Sequence, residues 1–244
     1  GLSIKGWQQV KNYMRGDSPY KYNATYGFGK NGERKTSQYN EYHKPQISLN
    51  HLWQIDSKSS LSTALYMSIG RGNGYSGQGD KDHSSMWFGS SDGVLNTTFR
   101  NADGTFAYDQ IQDMNEQSET GSKMVMSKNL NNHMWYGLLS TYTTKFGDNF
   151  DFYGGIDFRY YKGLHQNKII DLYNGAYYID RYRASVKAEN YAGAGTDEFK
   201  NKKMQVDDVV YRDYDGFVMS EGVFAQLEYN QDKLSAFLAG SISK

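Results

Sequence analysis

The strongest constraint on the fold is a pair of alternating stretches within Gln46–Arg71. Large or apolar residues take every second position of both stretches: Ile47, Leu49, His51, Trp53, Ile55, Leu61, Thr63, Leu65, Met67 and Ile69. A period of two places successive side chains on opposite faces of a β-strand. The polar break Asp56–Ser59 between the stretches therefore predicts a hairpin. Each strand is about ten residues long, the length that a tilted strand needs to cross a bilayer.

The same plan of strand, short turn and strand recurs twice further along the chain. The other two turns are Gly147–Asn149 and Asn230–Lys233. The six predicted strands are Tyr42–Ile55, Ser60–Arg71, Asn131–Phe146, Phe150–Gly163, Phe217–Tyr229 and Lys233–Ser243. We expect an all-β fold in which these strands form a consecutive antiparallel meander. One common face should carry Ile47, Leu49, Trp53, Leu65, Met67, Leu138, Phe152, Ile156, Phe158, Val223, Leu227 and Leu238.

The connections between the hairpins are very long, whereas the turns within them are short. The long segments are Gly72–Leu130 and Leu164–Asp215. Outer-membrane barrels have short periplasmic turns and long extracellular loops, so this asymmetry favours part of a transmembrane β-barrel. Aromatic residues gather near the short turns, as in the girdles at membrane interfaces: Trp53, Phe146, Phe150, Phe152 and Tyr229. The apolar face would then meet lipid and the other face the lumen. A soluble β-sandwich or propeller would show similar alternation.

Helical periodicity is confined to short segments. Ser3–Met14 predicts a helix that Ser3 caps. A second short helix is predicted around Ile111–Glu119 and a third at Asn167–Tyr173. Asp17–Glu41 and the glycine-rich segment after Gly72 are predicted to be loops.

Composition and motifs exclude several functional classes. The 27 basic and 27 acidic residues cancel, so no strong field attracts nucleic acid and we expect no nucleic-acid partner. Cysteine is absent, and the five histidines show no metal-ligand spacing, so no metal site is predicted. No nucleophile elbow, Walker motif or dinucleotide fingerprint is present. The sequence therefore predicts neither an enzyme nor a cofactor.

Two segments of the chain resemble a known family. Residues 44–74, KPQISLNHLWQIDSKSSLSTALYMSIGRGNG, and residues 212–240, RDYDGFVMSEGVFAQLEYNQDKLSAFLAG, are similar to the barrel of TonB-dependent outer-membrane receptors. The likeness is strongest to the large nutrient importers of Gram-negative gut anaerobes. It implies location in the bacterial outer membrane and uptake of a siderophore, cobalamin, haem, peptide or glycan. Residues 1–244 would be a fragment of the barrel domain of about six strands without the plug domain.

The resemblance also implies a set of partners. Outer-membrane lipid and the nutrient ligand would contact this chain, while the TonB energising complex would act through the plug. Some relatives carry a surface lipoprotein as well. The alternative function is that of a soluble or surface-anchored β-sheet protein that binds glycans.

Ligand selectivity should reside in the two long segments. Aromatic faces stack on sugar rings or planar chelates, and arginine binds carboxylates through two parallel hydrogen bonds. The predicted ligand-binding residues are Trp87, Phe88, Arg100, Tyr108, Tyr177, Tyr178 and Arg181. The alternative is that these aromatic side chains pack against one another and hold the loops closed.

Overall fold

The computed structural model describes residues 2–14, 21–87 and 94–244. The strands are β1 (Tyr26–Phe28), β2 (Arg34–Thr36), β3 (Asn40–His43), β4 (Gln46–Gln54), β5 (Ser59–Gly79), β6 (Phe106–Ala107), β7 (Met124–Phe146), β8 (Phe150–Asp171), β9 (Tyr178–Ile179), β10 (Lys203–Met204), β11 (Val209–Gln231) and β12 (Leu234–Ser243). The helices are α1 (Ile4–Met14), α2 (Tyr108–Glu116) and α3 (Asp197–Lys200). With 55% of residues in strands and 14% in helices, and with antiparallel sheets, the predicted all-β class is confirmed.

The main sheet has seven strands in the order β12-β11-β8-β7-β5-β3, with β4 also pairing with β5. This order follows the chain, as predicted for a meander. Leu49 opposes Leu65 in the antiparallel pair of β4 and β5. Pro45 lies between β3 and β4. Proline has no N–H to give to a neighbouring strand, which explains why the single predicted strand Tyr42–Ile55 is divided in two. Within the described residues the sheet does not close into a barrel.

The chain divides into two compact units that share the long strands. The first, here called the loop unit, comprises Gly1–Glu41, Asn73–Leu130 and His165–Asp213. The second, here called the sheet unit, comprises Tyr42–Gly72, Asn131–Leu164 and Tyr214–Lys244. In residues 2–14, 21–87 and 94–244 no helix has the length and apolar character of a membrane span.

Large apolar side chains cover one face of the sheet unit, and others, such as Leu52 and Phe237, lie on the opposite face. The pairs that are opposed or in contact on neighbouring strands are Leu49 with Leu65, Thr63 with Ser140 (2.9 Å between hydroxyl oxygens), Tyr136 with Tyr160 (5.3 Å between ring centroids), Phe150 with Tyr229 (5.0 Å) and Leu227 with Leu238. Side chains two positions apart share a face, so these pairs bring all twelve residues predicted for a common face together. That face is uncovered, since Leu49 is 67% and Leu238 78% exposed.

Four of the six strands are longer than predicted. The glycine-rich segment after Gly72, predicted to be a loop, continues β5 to Gly79. A Cβ atom on Gly72 would lie 2.0 Å from the ring of Tyr42, and one on Gly77 would lie 2.4 Å from the indole of Trp87. Glycine here makes room for aromatic rings that lie on the strand. The segment is therefore ordered strand, and the prediction of a flexible loop is wrong.

The helices follow the sequence in part. Ser3 Oγ accepts a hydrogen bond from the N–H of Gly6 (3.1 Å), which caps α1 as predicted. The helix predicted around Ile111–Glu119 is present as α2, shifted towards the N-terminus. The helix predicted at Asn167–Tyr173 is wrong, because this segment continues β8. Ile169 there is fully buried against Val125 and its neighbours, a contact that the local spacing does not reveal.

The loop unit is held by three small hydrophobic cores. The largest surrounds α2 and consists of Trp87, Phe99, Phe106, Ala107, Tyr108, Ile111, Met124, Met126 and Tyr173. The second joins Val125, Ile169, Tyr178, Met204 and Val210, and the third joins Val10, Ala24 and Leu95. The stretch Asp17–Glu41, predicted to be a loop, contains three short strands in its described part. Burial in these cores explains how so polar a region holds a defined structure.

Candidate functional site

A cavity of about 570 Å³ opens in the loop unit beside β2 and β3. Its size falls in the range of small-molecule binding sites, about 300–1,000 Å³. Its lining combines three cations, two carboxylates and three tyrosines. The lining residues are Arg34, Lys35, Thr36, Tyr39, Glu41, Tyr75, Met126, Lys128, Ile170, Asp171 and Tyr173.

Backbone pairing brings these distant segments together. β2 pairs with β1 so that Lys35 opposes Gly27, and the intervening turn contains Gly32 at a φ of 74°. A positive φ is readily adopted by glycine, which suits it to this tight turn. The N–H of Tyr75 on β5 donates to the carbonyl of Tyr39 (2.9 Å), so their rings lie 5.1 Å apart. The ends of β7 and β8 supply the remaining wall.

Lys35 is the most constrained cation of the cavity. Its Nζ lies 2.8 Å from Asp171 Oδ2 and 3.8 Å from Glu33 Oε1. It also lies 5.2 Å from the centre of the Tyr173 ring, within the range of a cation–π interaction. The second carboxylate oxygen of Asp171 accepts the N–H of Tyr173 (2.7 Å). Lys35 and Asp171 therefore satisfy each other.

Glu41 is likewise satisfied within the protein. Its Oε2 accepts the hydroxyl of Tyr39, and its Oε1 accepts the side-chain amide of Asn73 (2.7 Å). The Tyr39 hydrogen bond, followed by that of Asn73, holds the pKa of Glu41 below its usual value, and the charge of Lys128 adds to this effect. The carboxylate is therefore ionised at neutral pH and already has donors on both oxygens.

Arg34 and Lys128 differ from Lys35 because neither forms an ion pair within the described part of the chain. The guanidinium of Arg34 lies 4.7 Å over the ring of Tyr26 and is exposed. Lys128 on β7 is half-buried. The cavity thus offers two cationic donors, while its carboxylates are occupied.

Within the described part of the chain, none of the predicted ligand-binding residues lines this cavity. Trp87, Tyr108 and Tyr178 are 8%, 0% and 1% exposed. Their polar atoms donate to backbone carbonyls: Trp87 Nε1 to Gln78 (3.1 Å), the Tyr108 hydroxyl to Thr25 (2.6 Å) and the Tyr178 hydroxyl to Gly79 (3.1 Å). The structure gives these three side chains a packing role, as in the alternative interpretation.

The other predicted residues lie apart from one another. Arg100 donates to Tyr22 Oη (2.8 Å) and to the carbonyls of Ala24 and Gly104 (both 3.0 Å), so it joins the segment around residues 22–24 to its own loop. Lys203 lies 4.6 Å over the ring of Tyr177. Arg181 is exposed and donates to the hydroxyl of Tyr182 (2.7 Å). Phe88 lies outside the described residues, and ligand contact by any of the seven residues stays a prediction.

Sequence reasoning missed the cavity because its residues come from five separate segments. Five of these residues lie in the stretch Asp17–Glu41, which the sequence predicts to be a loop: Arg34, Lys35, Thr36, Tyr39 and Glu41. The alternation of Tyr39 and Glu41 just before β4 is the one local signal, since residues two apart on a strand share a face. Comparison with protein-family models, with curated proteins and with solved structures gave no match.

Proposed function

We propose that this chain is part of a transmembrane β-barrel in a TonB-dependent outer-membrane receptor, and that it serves the import of a nutrient into the periplasm. The observation that carries the membrane part is the uncovered apolar face of the sheet unit. Soluble proteins rarely leave an apolar patch of this extent open to water. The transport class rests on the sequence resemblance.

Two rows of aromatic side chains border that face. Near the short turns, the rings of Phe150 and Tyr229 lie 5.0 Å apart, and Tyr136 and Tyr160 lie 5.3 Å apart further along the strands. Phe150 and Tyr160 are ten residues apart on β8. Ten residues at about 3.3 Å each, tilted by about 40°, span about 25 Å, which is the height of the apolar band in outer-membrane barrels. This spacing supports lipid as the partner.

The opposite face of the sheet unit mixes polar side chains with apolar ones such as Leu52 and Phe237, and its polar part suits a barrel lumen. The ring centroids of Tyr66 and Trp135 lie 5.3 Å apart on this face. They line a cavity of about 300 Å³ together with Gln46, Leu139, Asp157 and Arg159. Gln226 and Glu228 on β11 are hydrogen-bonded to each other (2.6 Å). These side chains support a lumen that is filled with water or with polar protein.

The loop unit would be extracellular. The turns at Asp56–Lys58 and Gly147–Asn149 within the hairpins are short, whereas the segments between the hairpins are long. In outer-membrane barrels the long connections face outward. The cavity beside β2 belongs to the loop unit and would then meet the nutrient outside the cell. A soluble glycan-binding protein would also use a tyrosine-lined cavity, but the uncovered apolar face has no role in it.

The membrane part is tested with one lysine on each face in the full protein. Ile156 lies on the apolar face, and Ser62 is exposed on the polar face. The two residues lie at about the same height in the sheet, because Thr63, next to Ser62, is hydrogen-bonded to Ser140, and Ser140 adjoins Gly155, next to Ile156. We expect Ile156→Lys to cost about 2–4 kcal/mol in folding into bilayers, and Ser62→Lys to cost little. The measurement is folded protein in the outer membrane, separated by heat-modifiable gel mobility. Equal tolerance of the two lysines contradicts the proposal. The transport part is tested by measuring uptake in cells that lack the TonB complex. We expect uptake to be lost there.

A further inference from the structure

We propose that the cavity beside β2 binds a ligand that carries a carboxylate next to a ring, as an acidic sugar does. Most polar groups of the cavity already have hydrogen-bond partners within the protein. Glu41 and Asp171 already accept hydrogen bonds on both oxygens, and Lys35 is paired with Asp171. What remains for a ligand are the donors of Arg34 and Lys128.

A site whose free groups are cationic donors selects an anion. Arginine presents its N–H groups as a planar fork that matches a carboxylate, and each charge-assisted hydrogen bond is about twice as strong as a neutral one. Lys128 is half-buried, which weakens the screening of its charge by water.

The tyrosines supply the second half of the recognition. Tyr39 and Tyr75 form a tilted pair 5.1 Å apart, and Tyr39 is 43% exposed. Tyr173, Met126 and Ile170 close the cavity beneath this pair, and Tyr173 and Met126 are themselves buried at 2% and 1% exposure. Aromatic rings provide apolar contact area for the ring of a sugar, and the cations hold its carboxylate. A cavity of about 570 Å³ accommodates a short oligosaccharide of this kind.

The binding test needs three probes and the purified full protein. Trigalacturonate carries ring and carboxylate, maltotriose carries the ring alone, and citrate carries carboxylates without a ring. We expect trigalacturonate to bind more tightly than either of the others, with an affinity that falls as the salt concentration rises. Equal binding of maltotriose overturns the role of the cations, and equal binding of citrate overturns the role of the tyrosines.

Variants locate the site. Arg34→Gln with Lys128→Gln should weaken trigalacturonate binding by about 10- to 100-fold, since both variants remove charge-assisted hydrogen bonds to the carboxylate. Arg34→Lys with Lys128→Arg keeps both charges and should retain most of the affinity. The matched control is Lys81→Gln with Lys187→Gln, which removes two exposed charges from the loop unit outside the cavity. Unchanged binding in the first variant, with an unchanged circular dichroism spectrum in all three, overturns the proposal.

The ligand assignment names a substrate class for the proposed function and rests on that function only for uptake. If trigalacturonate binds as described but uptake does not require the TonB complex, the transport proposal fails and the ligand assignment stands. If uptake is TonB-dependent and trigalacturonate does not bind, the ligand assignment fails alone.

Discussion

Lys35 Nζ lies 2.8 Å from Asp171 Oδ2 and thereby joins β2 to the end of β8 across 136 positions of the sequence. The side chain of Lys35 is 19% and that of Asp171 33% exposed, so water screens this pair less than it screens a surface pair. The pair also completes one wall of the cavity. The pair therefore stabilises the loop unit and also positions one wall of the proposed ligand site.

We expect Asp171→Asn to lower the free energy of unfolding of the loop unit by about 1 kcal/mol, because an ion pair of intermediate exposure is replaced by a weaker neutral contact. Protection against protease at increasing urea concentration measures the change. A double-mutant cycle with Lys35→Met isolates the pair, and additive effects of the two substitutions would show that no coupling exists. The matched control is Lys187→Met, since Lys187 pairs with Glu189 and both side chains are more than 70% exposed.

The contact between Gly77 and Trp87 gives a second prediction. A methyl group on Gly77 would lie 2.4 Å from the indole ring, and that ring is buried in the core around α2. Gly77→Ala should therefore destabilise the loop unit by about 1–3 kcal/mol, because the indole must move within a packed core. Gly240→Ala on β12 is the control, since nothing lies within 4 Å of its added methyl group. The comparison uses the midpoint of thermal unfolding, and equal midpoints would contradict the close contact.

The sheet could be predicted from the sequence to a large extent, and the reason is the period of two. The six strands and their order follow from alternation, because one apolar face is continuous over all of them and fixes which residues point together. Alternation does not predict a strand where the side chains are buried on both faces. In Met124–Met126 every residue is buried, so β7 begins earlier than the pattern indicates.

Two kinds of residue explain why the remaining structure could not be predicted from the sequence. The glycines between Gly70 and Gly79 resemble a flexible linker, but a side chain added at Gly70, Gly72 or Gly77 would meet a ring from another segment, which only the fold reveals. Aromatic side chains such as Tyr108 and Tyr178 look like ligand contacts because they are polar and aromatic, yet each donates to one buried carbonyl. The cavity residues converge through pairing of distant segments, and local spacing carries no signal for that.

Buried tyrosines give the loop unit a dependence on alkaline pH. Burial raises the pKa of Tyr108, Tyr173 and Tyr178 above the ordinary value of 10.0, and for Tyr173 the neighbouring charge of Asp171 adds to this effect. In the folded state these three groups hold their protons more tightly than in the unfolded state. Their contribution to stability is complete below about pH 10 and is lost as the pH rises from the unfolded towards the folded pKa values.

Absorbance of tyrosinate at 295 nm measures this prediction. We expect the ionisation of these three tyrosines to coincide with unfolding of the loop unit above about pH 10, rather than to precede it. Tyr178→Phe removes one ionisable group and should make stability fall less steeply with alkaline pH, although it also loses the hydrogen bond to Gly79 at every pH. A slope that Tyr178→Phe leaves unchanged would show that burial of this hydroxyl does not control alkaline unfolding.

Asn115 provides the last prediction, because one buried side chain ties α2 to β7 and to the segment after β8. Its Nδ2 donates to the carbonyls of Met124 (2.8 Å), Leu172 (3.0 Å) and Tyr173 (3.2 Å). Its Oδ1 accepts the N–H of Lys123 (2.8 Å), and the residue is 1% exposed. A buried carbonyl that loses its donor costs about 1–3 kcal/mol.

Asn115→Asp keeps the size of the side chain but replaces the donor by a carboxylate that faces three carbonyl oxygens. We expect a loss of at least about 3 kcal/mol at neutral pH, since a buried charge then lacks a partner. Protonation restores a donor, so the folded-state pKa of the new carboxyl is raised and part of the stability returns as the pH falls through it. The measurement is protease protection of the loop unit at pH 7 and pH 5. Asn190→Asp, at an exposed turn, is the control and should leave protection unchanged at both pH values. Equal protection of the Asn115→Asp and Asn190→Asp proteins at pH 7 would contradict the central role of the Asn115 amide.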